Sequence, residues 1–356
     1  RSLPMSRPNV TRIPVISLLA AAALLAACGG KPEPAAPATG AAPASSPTPS
    51  GVVQIDGSST VYPITEAIAE EFQAAHAGGA RVTVGVSGTG GGFKKFCRGE
   101  LDISNASRPI QQLEMDECAK AGIRYYELPV AFDALTVVVN PANPLTEVSV
   151  DQLKRMWEPA AQGQVMRWNQ VDPAWADAPL ALYGAGSDSG TFDYFTEAVV
   201  GKAKSSRGDF TASEDDNTLV QGVAQDANAI GYFGYAYYTE NQDKLKALAI
   251  APQAGAPAVM PSRENVIGGS YQPLSRPLFI YVSEQAYARP EVKGFIDFYF
   301  ANAARMADET GYVPLPEGAY ATIKQHIVDG KFGTVFAGQP ATGVTVESLL
   351  EREASL

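Results

Sequence analysis

Four times the chain leaves a short apolar or β-branched run, passes through a cluster of hydroxyls or glycines, and enters a helical segment. The first passage is 52–55, then Asp56-Gly57-Ser58-Ser59-Thr60, then Ile64, Ile68, Phe72 and Ala75. The second runs from the alternating stretch 81–86 into Ser87-Gly88-Thr89-Gly90-Gly91-Gly92, then Phe93, Phe96 and Leu101. The third ends a strand begun at Asp102 with Ser107-Arg108-Pro109, where Pro109 suits the first position of a helix over 111–121. The fourth leads from 180–183 through Gly186-Ser187-Asp188-Ser189-Gly190-Thr191 to Phe192, Phe195, Val199 and Val200. Alternation of this kind predicts an α/β fold.

The junctions carry the chemistry. The first N–H groups of a helix have no internal partner and the dipole there favours negative charge. Hydroxyls and glycines at that point make an anion seat. Any one cluster is explained equally well as a helix cap. Four that each carry hydroxyls or glycines, at the carboxyl ends of strands where open α/β sheets bind ligands, point to one shared anion site. Its candidates are Ser59, Thr60, Thr89, Gly90, Ser107, Arg108, Ser189, Gly190 and Thr191. Arg108 is the one fixed cation expected beside the four junctions, and its planar fork of donors matches a tetrahedral oxyanion. The glycine-rich loop lacks the Lys-Ser/Thr of a Walker loop, and Phe93 stands where a dinucleotide fingerprint needs its last glycine.

Of the 356 residues 38 are acidic and 27 basic, a net charge of −11 that argues against nucleic acid as partner. A small anion held by local dipoles remains compatible with it. No metal-ligand spacing and no cofactor motif is present, and the two histidines, His76 and His326, are expected on helices facing solvent. Met5 reads as the start of translation, followed by Arg7, Arg12 and an apolar stretch, 13–27, too short to span a bilayer. It ends Leu25-Ala26-Ala27-Cys28-Gly29-Gly30, similar to a bacterial lipobox, so residues 1–27 are expected to be a lipoprotein signal and Cys28 the lipidated residue. Residues 28–50, rich in Pro, Ala and Ser, make a flexible tether. Cys97 and Cys118 then remain and are expected to form a disulfide, which export permits and an even count suits, rather than two buried thiols.

Residues 125–140 are long for one strand and suit a crossing between lobes. Helices are expected over 150–157, 218–227, 290–303 and 317–328, an aromatic turn over 167–171, and a strand over 278–282. The aromatic run 229–238 reads as packing.

Asp56-Gly-Ser-Ser-Thr-Val-Tyr-Pro-Ile, Gly88-Thr-Gly-Gly-Gly-Phe-Lys-Lys-Phe, Asp102-Ile-Ser-Asn-Ala-Ser-Arg-Pro-Ile, Ser187-Asp-Ser-Gly-Thr-Phe-Asp-Tyr-Phe and Ala229-Ile-Gly-Tyr-Phe-Gly-Tyr-Ala-Tyr-Tyr resemble, in this order, the periplasmic phosphate-binding proteins (PstS-like) of phosphate ABC transporters. The resemblance covers about 52–311. It implies the two-lobe periplasmic-binding-protein fold of type II, each lobe a mixed sheet flanked by helices, with the ligand in the interlobe cleft. The lobes would be 51–138 with 269–356, and 139–268. It implies a non-enzymatic monomer in the periplasm, lipid-anchored to a bacterial membrane, that captures inorganic phosphate and delivers it to the permease. The rivals are another tetrahedral oxyanion (sulfate, molybdate or tungstate) and a secreted phosphatase. Family members carry an Asp where Ser107 stands and an Arg where Ala185 stands. Arg108 is expected to replace the missing charge, and Asp188 or Asp56 to accept the proton of hydrogen phosphate.

Overall fold

The computed structural model describes residues 51–76, 79–316 and 318–356, so the signal segment, Cys28 and the tether lie outside the described residues. Three parallel strands open the fold: β1 (Val52–Gly57), β2 (Arg81–Val84) and β3 (Ile103–Ala106), with β1 between the other two. Helices Tyr62–Ala75 and Gly88–Phe96 return the chain between them. Then come β4 (Tyr125–Val139), β5 (Glu147–Ser149), β6 (Ala181–Ala185), β7 (Thr211–Ser213), β8 (Ala229–Gly234), β9 (Lys246–Ala247), β10 (Ala249–Ala251) and β11 (Ser275–Ser283). The large sheet runs β2-β1-β3-β11-β4-β8-β6-β7, with β9 also on β4, while β5 and β10 pair apart.

The long strand expected over 125–140 is β4, and it serves both halves of this sheet. Its first part, Tyr125 to Ala134, pairs antiparallel with β11, and its last part, Leu135 to Val139, pairs with β8. All 15 of its residues are buried, which is why Val, Ala, Leu and aromatic residues dominate it around Glu127 and Asp133. The result is the two-lobe α/β architecture, with β4 and β11 at the junction. Opposite each other in that junction stand Asp133 on β4 and Arg276 on β11.

Several local expectations are corrected. Strand β11 begins at Ser275 rather than 278, because Arg276 and Pro277, which interrupt the apolar run, are still paired to β4. Pro109 lies outside its helix, which is Gln112–Lys120. Gln111 is its cap, closed by a reciprocal hydrogen-bond box with Glu114. The helix expected over 218–227 is Asp216–Gln225, capped by the Asp215 carboxylate, which accepts from Asn217 N at 3.0 Å. Residues 167–171 hold a short helix, Trp168–Val171. His326 does not face solvent: it is buried against Glu353 of the helix Val346–Ala354, while His76 packs on Phe72. Cys97 and Cys118 are joined, linking the ends of two helices across a separation of 21. The aromatic residues of 229–238 include packing partners. Tyr232 stacks on Phe195 with ring centroids 3.7 Å apart and takes the edge of Trp157.

Candidate functional site

The first lobe supplies three turns. After β1, Ser59 and Thr60 precede the helix Tyr62–Ala75, and the N–H groups of Ser59, Thr60 and Val61 find no acceptor among the described residues. After β2, Thr89 and Gly90 open the helix Gly88–Phe96. After β3 comes Ser107, whose N–H donates to Thr89 Oγ1 at 3.1 Å, with the two hydroxyls 3.2 Å apart. The second lobe supplies the turn after β6. Ser189 caps the helix Gly190–Phe195, its Oγ accepting from Thr191 N at 3.1 Å.

These turns meet. Thr60 Oγ1 and Thr191 Oγ1 are 3.1 Å apart, across the lobes. Gly90 N donates to Asp188 O at 2.8 Å, also across the lobes, and the Tyr237 hydroxyl donates to Ser59 O at 3.1 Å. Gly190 lies so close to the first lobe that a Cβ there would stand 2.4 Å from Thr89 Oγ1 and 2.5 Å from Ser107 Oγ. All nine candidates are buried in one connected cluster.

The cations are arranged differently from the sequence expectation. Arg108 is buried and committed to carboxylates: Nη1 and Nη2 donate to Glu114 at 2.8 and 2.7 Å, and Nε donates to Asp193 of the second lobe at 2.7 Å. Burial works against its charge, but Glu114 and Asp193 more than offset this and hold the guanidinium above its ordinary pKa. The Nη2 atom still passes within 3.8 Å of where a Gly90 Cβ would stand. A second guanidinium, unforeseen, sits closer to the hydroxyls. Arg276 Nη2 donates to Thr60 Oγ1 at 3.2 Å and to Thr191 Oγ1 at 3.0 Å, while Nε and Nη2 are held by Asp133 Oδ2 at 3.1 and 2.9 Å. Arg276 is fully buried, and its Nη1 has no hydrogen-bond partner. The expectation that Arg108 is the only cation near the junctions is therefore corrected. Lys95 also pairs with Asp56, and Lys94 with Asp188 at 2.7 Å. Asp56 further accepts from Ser87 Oγ at 2.8 Å, and the Asp188 side chain is 40% exposed, so neither carboxylate is free and buried.

Arg276 escapes a strand assignment that follows apolar runs. The signal that marks it is a charged residue abutting an apolar β run, 278–282, with an opposite charge, Asp133, inside another. Unpaired charges are almost never buried in such strands.

Two interlocked α/β lobes bring buried hydroxyls, helix-start N–H groups and a guanidinium together, the architecture of a solute-binding protein with donors suited to an oxyanion. Comparison with known proteins agrees. Residues 42–303 match the model of the PBP superfamily domain. The chain is 54% identical over 302 residues to protein SphX of Synechococcus elongatus (85% of this chain, 89% of that protein). It is 37% identical over 317 residues to the phosphate-binding protein PstS of Staphylococcus saprophyticus (87% and 92%). Among solved structures it is similar to a possible phosphate-binding protein from Planctomyces limnophilus, at 46% identity and TM-score 0.60, covering 80% of this chain and 100% of that one. It is also similar to a putative phosphate ABC transporter substrate-binding protein with bound phosphate from Clostridium perfringens, at 26% identity and TM-score 0.62, covering 74% and 100%. The chain belongs to the PBP superfamily, among its PstS-like phosphate-binding proteins.

Proposed function

We propose that the chain captures inorganic phosphate between its lobes and presents it to the membrane permease of an ABC transporter, with no catalysis of its own. One observation carries this reading most. A fully buried guanidinium has one nitrogen unpartnered and contacts a threonine from each lobe at the start of a helix. A buried N–H donor left without an acceptor is costly, and an oxyanion is the complement such a guanidinium takes. In this reading Ser59, Thr60, Thr89, Ser107, Ser189, Gly190 and Thr191 donate from hydroxyls and backbone, Gly90 lines the seat with its N–H given to Asp188 O across the lobes, and Arg276, paired with Asp133, supplies the guanidinium donors. Arg108 contributes its remaining Nη2 hydrogen beside Gly90 and, through Asp193, ties the lobes together. The lobes run over 51–138 with 269–356, and over 139–268. Titration of the mature protein with phosphate, then sulfate and molybdate, tests the assignment. One phosphate per chain, bound more tightly than either competitor, is expected. Tighter sulfate or molybdate would hand the site to that oxyanion instead.

The protein works in the periplasm, lipid-anchored through Cys28 with 28–50 as tether. Palmitate label should enter the wild type and be lost in Cys28→Ser; label retained in the variant removes the anchor from this account.

A further inference from the structure

Asp216 is the first residue of the helix Asp216–Gln225. Its neighbours Glu214, Asp215 and Asn217 line, together with Ser59 and Tyr237, a cavity of about 520 Å³ between the lobes. Asp216 itself turns inward. It is 1% exposed, and neither carboxylate oxygen has a hydrogen-bond partner. Two further buried groups of the same neighbourhood lack partners, Arg276 Nη1 and the Tyr312 hydroxyl. The charges of Arg276 and Asp133 both act on Asp216, and those of Asp216, Asp133 and Arg276 on Tyr312, so the three orphans share one electrostatic neighbourhood. Buried polar atoms without partners are rare in folded proteins and mark unfilled binding capacity when they cluster.

Charge counting assigns the state of Asp216. Asp133 already balances Arg276 in a direct ion pair. An ionised Asp216 would leave the pocket negative and repel an arriving anion, whereas a neutral carboxyl leaves it balanced and adds an O–H donor. We propose that Asp216 belongs to the anion site and carries a proton while the anion is bound, so that anion capture is coupled to proton uptake. This rests on the phosphate reading above and deepens it.

The surroundings agree. Burial first, then the charges of Asp133, Asp215 and Glu214, push the carboxyl up to about 7, with Arg276 pulling the other way. The helix start also favours the ionised form, an effect confined to the first turn and smaller than that of burial. The other titratable groups whose fields couple to Asp216 are Tyr232, Tyr237 and Tyr312, all held above the ordinary tyrosine range by burial. They keep their protons wherever Asp216 titrates.

The test is calorimetric titration with inorganic phosphate at several pH values between about 7.5 and 9, where the phosphate dianion dominates and the protein's own protons set the slope. Wild-type affinity should fall with rising pH, by up to about tenfold per unit. Asp216→Asn, which keeps a neutral donor of the same shape, should still bind phosphate and lose most of that slope. Wild-type titrations in two buffers of different ionisation enthalpy should show proton uptake on binding, which needs no variant to fold. Phosphate binding without proton uptake, or a slope unchanged in Asp216→Asn, overturns the role of Asp216 and leaves the phosphate assignment standing. Absence of phosphate binding by the wild type at every pH overturns both.

Discussion

Gly190 marks the difference between a helix cap and a binding site at the scale of single residues. In sequence, a glycine there lets a ligand approach the backbone. The structure gives it a second task, admitting Thr89 and Ser107 of the other lobe to within contact of its Cα hydrogen positions. Alanine is a better helix former than glycine by up to about 1 kcal/mol, so Gly190→Ala should leave the melting temperature unchanged or slightly raised. Its methyl would nevertheless hold the lobes apart. Phosphate affinity should drop at least about tenfold, equivalent to about 1.4 kcal/mol, in a direct titration. Unchanged affinity would mean that the lobes need not approach this closely to bind. The hydroxyls and glycines of the site are legible in sequence because each lies beside a strand-to-helix change of period. Arg276 is not, because it lies inside a strand and its partner Asp133 is 143 residues away.

Among the elements, β4 is legible because an apolar run of that length, rich in β-branched residues and closed by a proline, fits a strand buried on both faces and little else. The C-terminal helices are less so. His326 on the helix Ala319–Val328 and Glu353 on Val346–Ala354 are both buried, with His326 Nδ1 3.2 Å from Glu353 Oε2 but without hydrogen-bond alignment. A lone His at a helical position does not reveal a buried partner far along the chain. Burial, then the charge of Glu127, pushes the Glu353 carboxyl up to about 8, with Lys331 opposing. Burial likewise takes Glu127 up to about 7, against its hydrogen bonds from Tyr281 and Val335. Burial lowers His326, with Lys331 acting the same way and Asp329 opposing.

The sign follows from proton counts. A carboxyl raised in the folded state binds more protons folded than unfolded, so stability falls as pH rises from the ordinary carboxylate range through the raised value. His326 acts oppositely, adding stability as pH rises toward its unfolded pKa, but it is one group against Glu353, Glu127 and the similarly raised Asp216. The melting temperature should therefore be several degrees lower at about pH 8.5 than at about pH 5.5, and Glu353→Gln should shrink the difference. A melting temperature that rises over this range would show these carboxyls to be ionised in the folded protein.

At the scale of the whole molecule, the two lobes meet through Thr60 with Thr191, Gly90 with Asp188, Lys94 with Asp188, Arg108 with Asp193, and Tyr237 with Ser59. Exposed pairs such as Lys94–Asp188 contribute little. The buried Arg108–Asp193 pair would leave a charge stranded if either partner were lost. Hinge closure over a ligand is the motion that two lobes joined by crossing strands support, and β4 and β11 place Asp133 and Arg276 in that hinge. Arg276, the cation proposed to face the anion, belongs to the joint between the lobes, where no single strand-to-helix junction marks it.

Everything proposed for phosphate capture turns on Arg276 holding the anion there. Removing it alone would strand Asp133, so the decisive measurement is a phosphate titration of the charge-balanced double variant Arg276→Met/Asp133→Asn against wild type, with melting curves to confirm the fold. Loss of a buried, charge-assisted contact typically costs about 2–5 kcal/mol, so phosphate should bind roughly thirtyfold or more weakly. A folded double variant that binds phosphate within about twofold of wild type would show that the anion is held without Arg276.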